Sequence, residues 1–341
     1  MRLSSRGALA GALAVVVLLL ATLVWGVIRA ETGPESSSSP AAESEDATAS
    51  GPSVGQHHED ESSAELQQDQ HSPGGAEPEL GTDGHEDTAE QEDEGTPEPQ
   101  RPSGAQALLD NPLYDTERLA PRPCPLPHVD VDEPDSMEDF LDAVADCLDE
   151  VWTTQFDRAD IPFEPPNRVF WSEPGTSPCR DYPSAAGAFY CRSSTGVYIG
   201  TSDVVEKWQG ETNGVVYASL LAHEYAHHVQ SEAGLLEYYH EQRSEEEDDA
   251  ERNEWTRRSE LQANCLAGAF LGSIAVSYPL GDTDVEILLE DARATADREN
   301  EEDDDRTHGT PDNSEHWTYA GYTEQHPGAC NTWTAEAEQV Q

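Results

Sequence analysis

A short string inside an apolar stretch restricts most strongly what this chain can fold into. His223, Glu224 and His227 form the string HEYAH, and apolar residues precede it. The pattern predicts a buried helix over about residues 212–233, on which positions i and i+4 share one face. Two imidazoles one turn apart can reach a single zinc ion. Because a buried helix seldom carries two histidines and a glutamate without a partner, the string indicates a metal site.

The side chain of Glu224 points in a different direction from those of the two histidines. It is rotated by about 100° around the helix from His223, so it points beside the metal. There it can take a proton from water as a general base. The string also occurs by chance in many proteins, so the alternative to a zinc site remains open on this motif alone. His228 points away from the ligand face and is not counted as a ligand.

A second predicted helix, over about residues 254–276, can complete the site. Glu260 and Asn264 lie four residues apart on one of its faces. A catalytic zinc ion needs three protein ligands and one open position, and Glu260 can be the third ligand. Asn264 can accept a hydrogen bond from the free N–H of a ligand histidine and fix its tautomer. The alternative for Glu260 is a solvated glutamate beside Arg257.

The N-terminal third has two segments of very different composition. Residues 7–28 form an apolar run long enough to span a bilayer, preceded by Arg2 and Arg6. We therefore expect a transmembrane anchor in residues 1–30 with a cytoplasmic N-terminus, the alternative being a long cleaved signal peptide. Residues 31–104 are acidic and nearly free of large apolar side chains, which predicts a disordered linker. The catalytic domain, residues 105–341, would then lie on the extracellular face of the cell membrane.

The remaining patterns predict a mainly helical α+β domain. Strand-like pieces separated by Gly, Pro and Ser indicate a small antiparallel sheet: 168–171, 188–191 and 196–200. Apolar periodicity predicts further helices that begin near residue 136 and cover about 283–296. The acidic stretch 241–251 reads as a loop or a solvated helix extension.

The charge excludes one class of partner. The formal net charge is −52, which repels phosphate backbones, so we expect no nucleic-acid binding. The expected partners are a peptide or protein substrate and, through the N-terminal helix, the membrane.

Four segments together resemble the neutral zinc metallopeptidase family of bacteria: FYCRSSTGVYI, HEYAHHVQ, RRSELQANCLAG and HGTPDNSEHWTYAGY. The resemblance covers about residues 111–332. It implies a zincin-like fold and peptidase activity, with zinc held by His223, His227 and Glu260 and with Glu224 as the base. The family pattern reads ELQAD, and here Asn264 stands for the acid. An uncharged partner makes the ligand histidine less basic, so we expect a loss of metal affinity of up to about 10–100-fold.

The expected reaction is hydrolysis of a peptide bond, whose oxyanion needs a hydrogen-bond donor besides the metal. His308 is the candidate donor, and Tyr319 and His316 compete with it. A loop-capping role is the alternative for His308. Two other functions stay open: a catalytically silent binding or scaffold domain that retains the fold, and a cell-wall amidase.

Six cysteines fit three disulfides in an exported domain. Spacing and the resemblance suggest Cys179–Cys191 and Cys265–Cys330, and Cys124–Cys147 remains by subtraction. Buried free thiols are the alternative.

Overall fold

The computed structural model describes residues 100–183, 187–302 and 304–341. The predicted anchor and all but the last five residues of the predicted linker lie outside these ranges, so the division of the chain at residues 30 and 104 stays a prediction. Within the described ranges, no helix is both long and apolar enough to cross a bilayer.

The described residues are mainly helical with a small sheet, which confirms the α+β prediction. The helices are α1 (Ala105–Leu109), α2 (Pro134–Ala159), α3 (Thr201–Lys207), α4 (Gly214–Glu232), α5 (Leu235–Glu245), α6 (Asp249–Ile274), α7 (Asp282–Ala294) and α8 (Pro311–Glu324). The strands are β1 (Asn167–Trp171), β2 (Gly175–Thr176), β3 (Asp181–Tyr182), β4 (Ala188–Cys191) and β5 (Gly196–Gly200). Residues 241–245 of the acidic stretch continue α5, and residues 249–251 open α6.

The sheet order corrects one prediction. The three-stranded sheet runs β1-β5-β4; β4 and β5 are antiparallel, but β1 and β5 are parallel, so the sheet is mixed rather than antiparallel. The physical reason is the length of the connections. A short turn, Arg192–Ser194, joins β4 to β5, whereas the long segment 172–195 separates β1 from β5 and allows a crossover.

The strands β2 and β3 form a separate hairpin beside the sheet. An aromatic cluster lies between this hairpin and the sheet: Trp171, Tyr182, Phe189 and Tyr198. The disulfide Cys179–Cys191 ties the hairpin to the end of β4. Covalent and aromatic contacts therefore hold the hairpin next to β4.

The helices α4, α6 and α8 pack around the main core. Contact between α6 and α8 is close because glycines face the neighbouring backbone. A Cβ at Gly268 would collide with the carbonyl oxygen of Thr318, and one at Gly321 would collide with that of Cys265. These two positions bring α8 against the middle of the helix that carries Glu260.

All three predicted disulfides are present. Cys124–Cys147 ties the segment before α2 to that helix, and Cys265–Cys330 ties α6 to a short turn after α8. The described residues contain no free cysteine.

Candidate metal centre and its cleft

The side chains of His223 and His227 on α4 and of Glu260 on α6 converge on one point. The Nε2 atoms of the two histidines lie 3.2 Å apart. Oε2 of Glu260 lies 3.2 Å from Nε2 of His223 and 3.4 Å from Nε2 of His227. These three residues are the only group in the described ranges whose His, Cys, Asp or Glu atoms are placed to hold a metal ion together.

Asn264 determines which ring nitrogen of His223 carries the proton. Its Oδ1 lies 2.8 Å from Nδ1 of His223, and its Nδ2 donates to Oγ of Ser314 at 3.1 Å. The hydroxyl of Ser314 donates its proton to the carbonyl oxygen of Ala292 at 2.7 Å. Since that hydroxyl can only accept from Asn264, the amide oxygen must face His223. The proton of His223 is therefore on Nδ1, and Nε2 presents a lone pair.

Gln230 fixes His227 in the same way. Its Nε2 donates to the carbonyl oxygen of Ser259 at 2.9 Å and to Oε1 of Gln262 at 3.0 Å. Its Oε1 therefore faces Nδ1 of His227, at 2.9 Å. Both imidazoles carry their proton on Nδ1, so both Nε2 lone pairs point at the carboxylate of Glu260.

The protonation of Glu260 and His223 follows from their surroundings. Burial would raise the pKa of the Glu260 carboxyl, but the positively charged forms of His227 and His223, which exist at low pH and donate to it, outweigh burial and hold this pKa well below 4.5. Burial lowers the pKa of His223 below its usual 6.5, despite the nearby Glu260 carboxylate. An ionised carboxylate and a neutral imidazole are the forms that bind a metal ion.

The geometry of the three atoms fits zinc. Ligand atoms at zinc distances of about 2.0–2.1 Å stand about 3.3–3.4 Å apart on the edges of a tetrahedron. The three observed separations, 3.2, 3.2 and 3.4 Å, match one face of such a tetrahedron. Three lone-pair donors facing one point repel one another unless a cation lies between them. The donor set thus suits a divalent ion with three protein ligands.

The three ligand residues line one cleft. Its walls include Glu224, which is only 5 % exposed, and His308. The neighbouring His228 does not reach the cluster. Its Nε2 donates to the carbonyl oxygen of Glu164 at 2.8 Å, and its Nδ1 lies 3.2 Å from the hydroxyl of Tyr190.

His308 lies in a loop that Asp297 fixes. Oδ2 of Asp297 accepts hydrogen bonds from the backbone N–H groups of His308 and Gly309, at 2.7 and 2.8 Å. His316 and Tyr319, the competitors for the same role, are both exposed on α8 and do not line the cleft. The structure therefore brings only His308 of these three to the cleft.

Three further cleft residues were missed by the sequence analysis: Arg180, Trp208 and Asp291. The guanidinium of Arg180 lies over the ring of Phe189, 4.9 Å from its centre. For Asp291 a signal existed. It follows Leu288 by three residues, which places an acid on the apolar face of α7.

Similarity to known proteins agrees with this geometry. Residues 127–333 match the family described as "Putative neutral zinc metallopeptidase". The protein YpfJ of Escherichia coli (strain K12), named only as uncharacterized, is 28% identical over 208 residues, which cover 58% of this chain and 72% of that protein. The uncharacterized protein Rv2575 of Mycobacterium tuberculosis (strain ATCC 25618 / H37Rv) is 29% identical over 213 residues, which cover 57% of this chain and 69% of that protein.

No solved structure matches the chain. The family match extends over more than half of the sequence and contains the convergent histidines and glutamate. On both grounds, the chain belongs to the neutral zinc metallopeptidase family.

Proposed function

We propose that this protein is a zinc-dependent peptidase in which His223, His227 and Glu260 hold the ion and Glu224 is the general base. One observation carries the proposal: two Nε2 lone pairs and one carboxylate oxygen form a triangle with edges of 3.2–3.4 Å. The amides of Asn264 and Gln230 fix both imidazoles for this purpose.

The protein groups around the cluster have the chemistry that peptide hydrolysis needs. A bound zinc ion supplies Lewis acidity, which polarises a carbonyl group and lowers the pKa of water toward about 7. Glu224 accepts a proton from the attacking water as its oxygen bonds to the carbonyl carbon. As the C–N bond breaks, Glu224 returns that proton to the leaving amine. His308 donates a hydrogen bond to the oxyanion that forms in between.

We further propose that the protein is a single-pass membrane protein with its catalytic domain on the extracellular face. The apolar run of residues 7–28 and the arginines before it support an uncleaved anchor. The three disulfides support an oxidising compartment. Protease added to intact cells should degrade the C-terminal region, and protection of that region would contradict this location.

Glu224→Gln tests the catalytic proposal directly. The substitution keeps the shape of the side chain but removes its basicity. We expect the purified variant to keep one zinc ion per chain while casein hydrolysis falls by about 100–10,000-fold. Glu260→Ala should lose the ion as well. Glu237→Gln, which removes an exposed glutamate from α5, is the matched control and should change neither property.

Full turnover in Glu224→Gln would refute its role as the base. Stoichiometric zinc without hydrolysis of any peptide by the unmodified protein would favour the silent binding or scaffold domain. Cleavage of purified peptidoglycan, but not of peptides, would favour the amidase.

A further inference from the structure

A carboxylate stands in the wall of the cleft, apart from the metal cluster. Asp291 on α7 lines the same cleft as His223 and Glu224. Ser219 and Leu220 of α4 line the cleft as well, and they precede His223 by about one helical turn. Asp291 is therefore close enough to act on a ligand that also reaches the metal cluster.

Few groups of the protein compensate the charge of Asp291. Its Oδ1 accepts one hydrogen bond, from Nε1 of Trp208 at 2.6 Å. Among the described residues, no Lys, Arg or His nitrogen lies within ion-pair distance of this carboxylate. The carboxylate of Glu211, which also acts on Asp291, has the same sign. Burial raises the pKa of Asp291 to about 7, which reflects the cost of keeping the charge there.

The surroundings suit a long basic side chain. Trp208, Leu220 and Ala292, whose side chains are aromatic or aliphatic, line the cleft with Asp291. Lysine and arginine pack their methylene groups along apolar surface and place the charged head on a polar group. A carboxylate with an uncompensated charge at such a wall gains most from a cation that donates hydrogen bonds to it.

From this arrangement we propose that Asp291 determines specificity, by receiving an arginine or lysine side chain of the peptide substrate in a subsite walled by Trp208, Leu220 and Ala292. The inference rests on the proposed peptidase function for its choice of ligand class. An ion pair that is also hydrogen-bonded contributes about 1.5–3 kcal/mol, which corresponds to about 10–150-fold in affinity.

Equilibrium binding tests this proposal without turnover. The full-length chain with Glu224→Gln is titrated with eight-residue alanine-rich peptides that differ only at one central residue: arginine, citrulline or glutamate. Citrulline has the shape of arginine without its charge. We expect the arginine peptide to bind at least about 10-fold more tightly than the citrulline peptide and the glutamate peptide to bind most weakly.

Two variants in the same background assign the effect. Asp291→Asn, which can still accept from Trp208, should reduce the arginine-to-citrulline ratio to within about 2-fold. Glu290→Gln removes the same charge one residue earlier, where the side chain is exposed and lies outside the cleft, and it should leave the ratio unchanged. Equal binding of the arginine and citrulline peptides to the protein with Asp291 intact would overturn the proposal. So would a preference for arginine over citrulline that persists in Asp291→Asn.

The comparison of arginine with citrulline needs no variant at Asp291, so a folding defect in Asp291→Asn would not prevent a decision. Cleavage by the unmodified protein separates the two proposals. Hydrolysis without a preference for basic residues would refute the subsite at Asp291 but not the peptidase function. Selective binding of the arginine peptide without any hydrolysis would refute the peptidase function but not the subsite.

Discussion

The side-chain oxygen of Asn264 lies 2.8 Å from Nδ1 of His223, and this contact joins the two helices that carry the metal cluster. The same amide is anchored on its other side by Ser314. An amide accepts the imidazole proton as a carboxylate would, but it adds no negative charge. The affinity of the cluster for zinc should therefore depend on this one position.

Asn264→Asp should tighten zinc binding by about 10-fold, because an anionic partner makes the His223 ring a better donor. Asn264→Leu should weaken it by about 10–100-fold, because the Nδ1 proton then has no acceptor. Competition with a chelator measures both. Asn253→Asp makes the same charge change earlier on α6, outside the cleft, and should leave zinc affinity unchanged. Equal affinity in all four proteins would show that Asn264 does not tune the ligand.

His308→Ala should lower kcat by about 100–1,000-fold with little change in KM, because a donor to the oxyanion acts in the transition state. Zinc content should stay at the level of the unmodified protein. His316→Ala removes an exposed histidine from α8 and is the control. An increase in KM with no change in kcat, or no change in either, would indicate that His308 has only a structural role in the loop.

Removing Cys265–Cys330 should lower the free energy of unfolding by about 4 kcal/mol, the chain-entropy value for its sequence separation of 65 residues. Cys265 directly follows Asn264, and Gln262 donates to the carbonyl oxygen of Cys330 at 3.0 Å. We therefore expect the double serine variant also to bind zinc more weakly.

The pair Cys124–Cys147 provides the comparison. Its separation is 23 residues, so its removal should cost about 3 kcal/mol by the same relation. Neither of its cysteines lines the cleft, so zinc affinity should not change. Denaturant unfolding and chelator competition measure the two effects separately, and a parallel loss of zinc in both variants would contradict this expectation.

Asp291 should make stability depend on pH in a predictable direction. Burial raises its pKa in the folded protein to about 7 from an ordinary value of 3.8. The unfolded chain therefore loses this proton first, and the contribution of the protonated carboxyl to stability is lost as the pH rises from about 4 to about 7. Asp291→Asn cannot ionise. Its free energy of unfolding, relative to that of the unmodified protein, should increase over this interval, whereas that of Glu290→Gln should not.

The sequence predicted the parts of the fold that local patterns determine. The three strand-like pieces appear as β1, β4 and β5, and the helix with HEYAH begins and ends within two residues of the expected limits. Strand direction depends on the route of a long connection, which no local pattern encodes. The helix α8 was not predicted because Gly321 and Thr318 face another helix rather than forming an apolar stripe.

The candidate site was predictable to a similar depth. Spacing of four residues placed Asn264 and Glu260 on one face, yet it could not reveal which histidine Asn264 contacts. The contact of Gln230 with His227 depends on Ser259 and Gln262, which come from the other helix. The position of Asp291 on the apolar face of α7 was the one pattern in the sequence that pointed to this residue of the cleft wall. Its place in the cleft follows only from the packing of α7 against α4.

The close approach at Gly268 and Gly321 has a consequence beyond packing. Replacing either glycine with even alanine would push α8 outward, and Ser314 would move with it, away from the amide that it orients. Neither glycine is a metal ligand or a cleft residue, yet such a substitution would free the amide of Asn264 to turn over and offer an N–H to the imidazole of His223. The orientation of the Asn264 amide, and with it the ability of the centre to bind its ion, thus depends on the absence of a side chain at these two glycines.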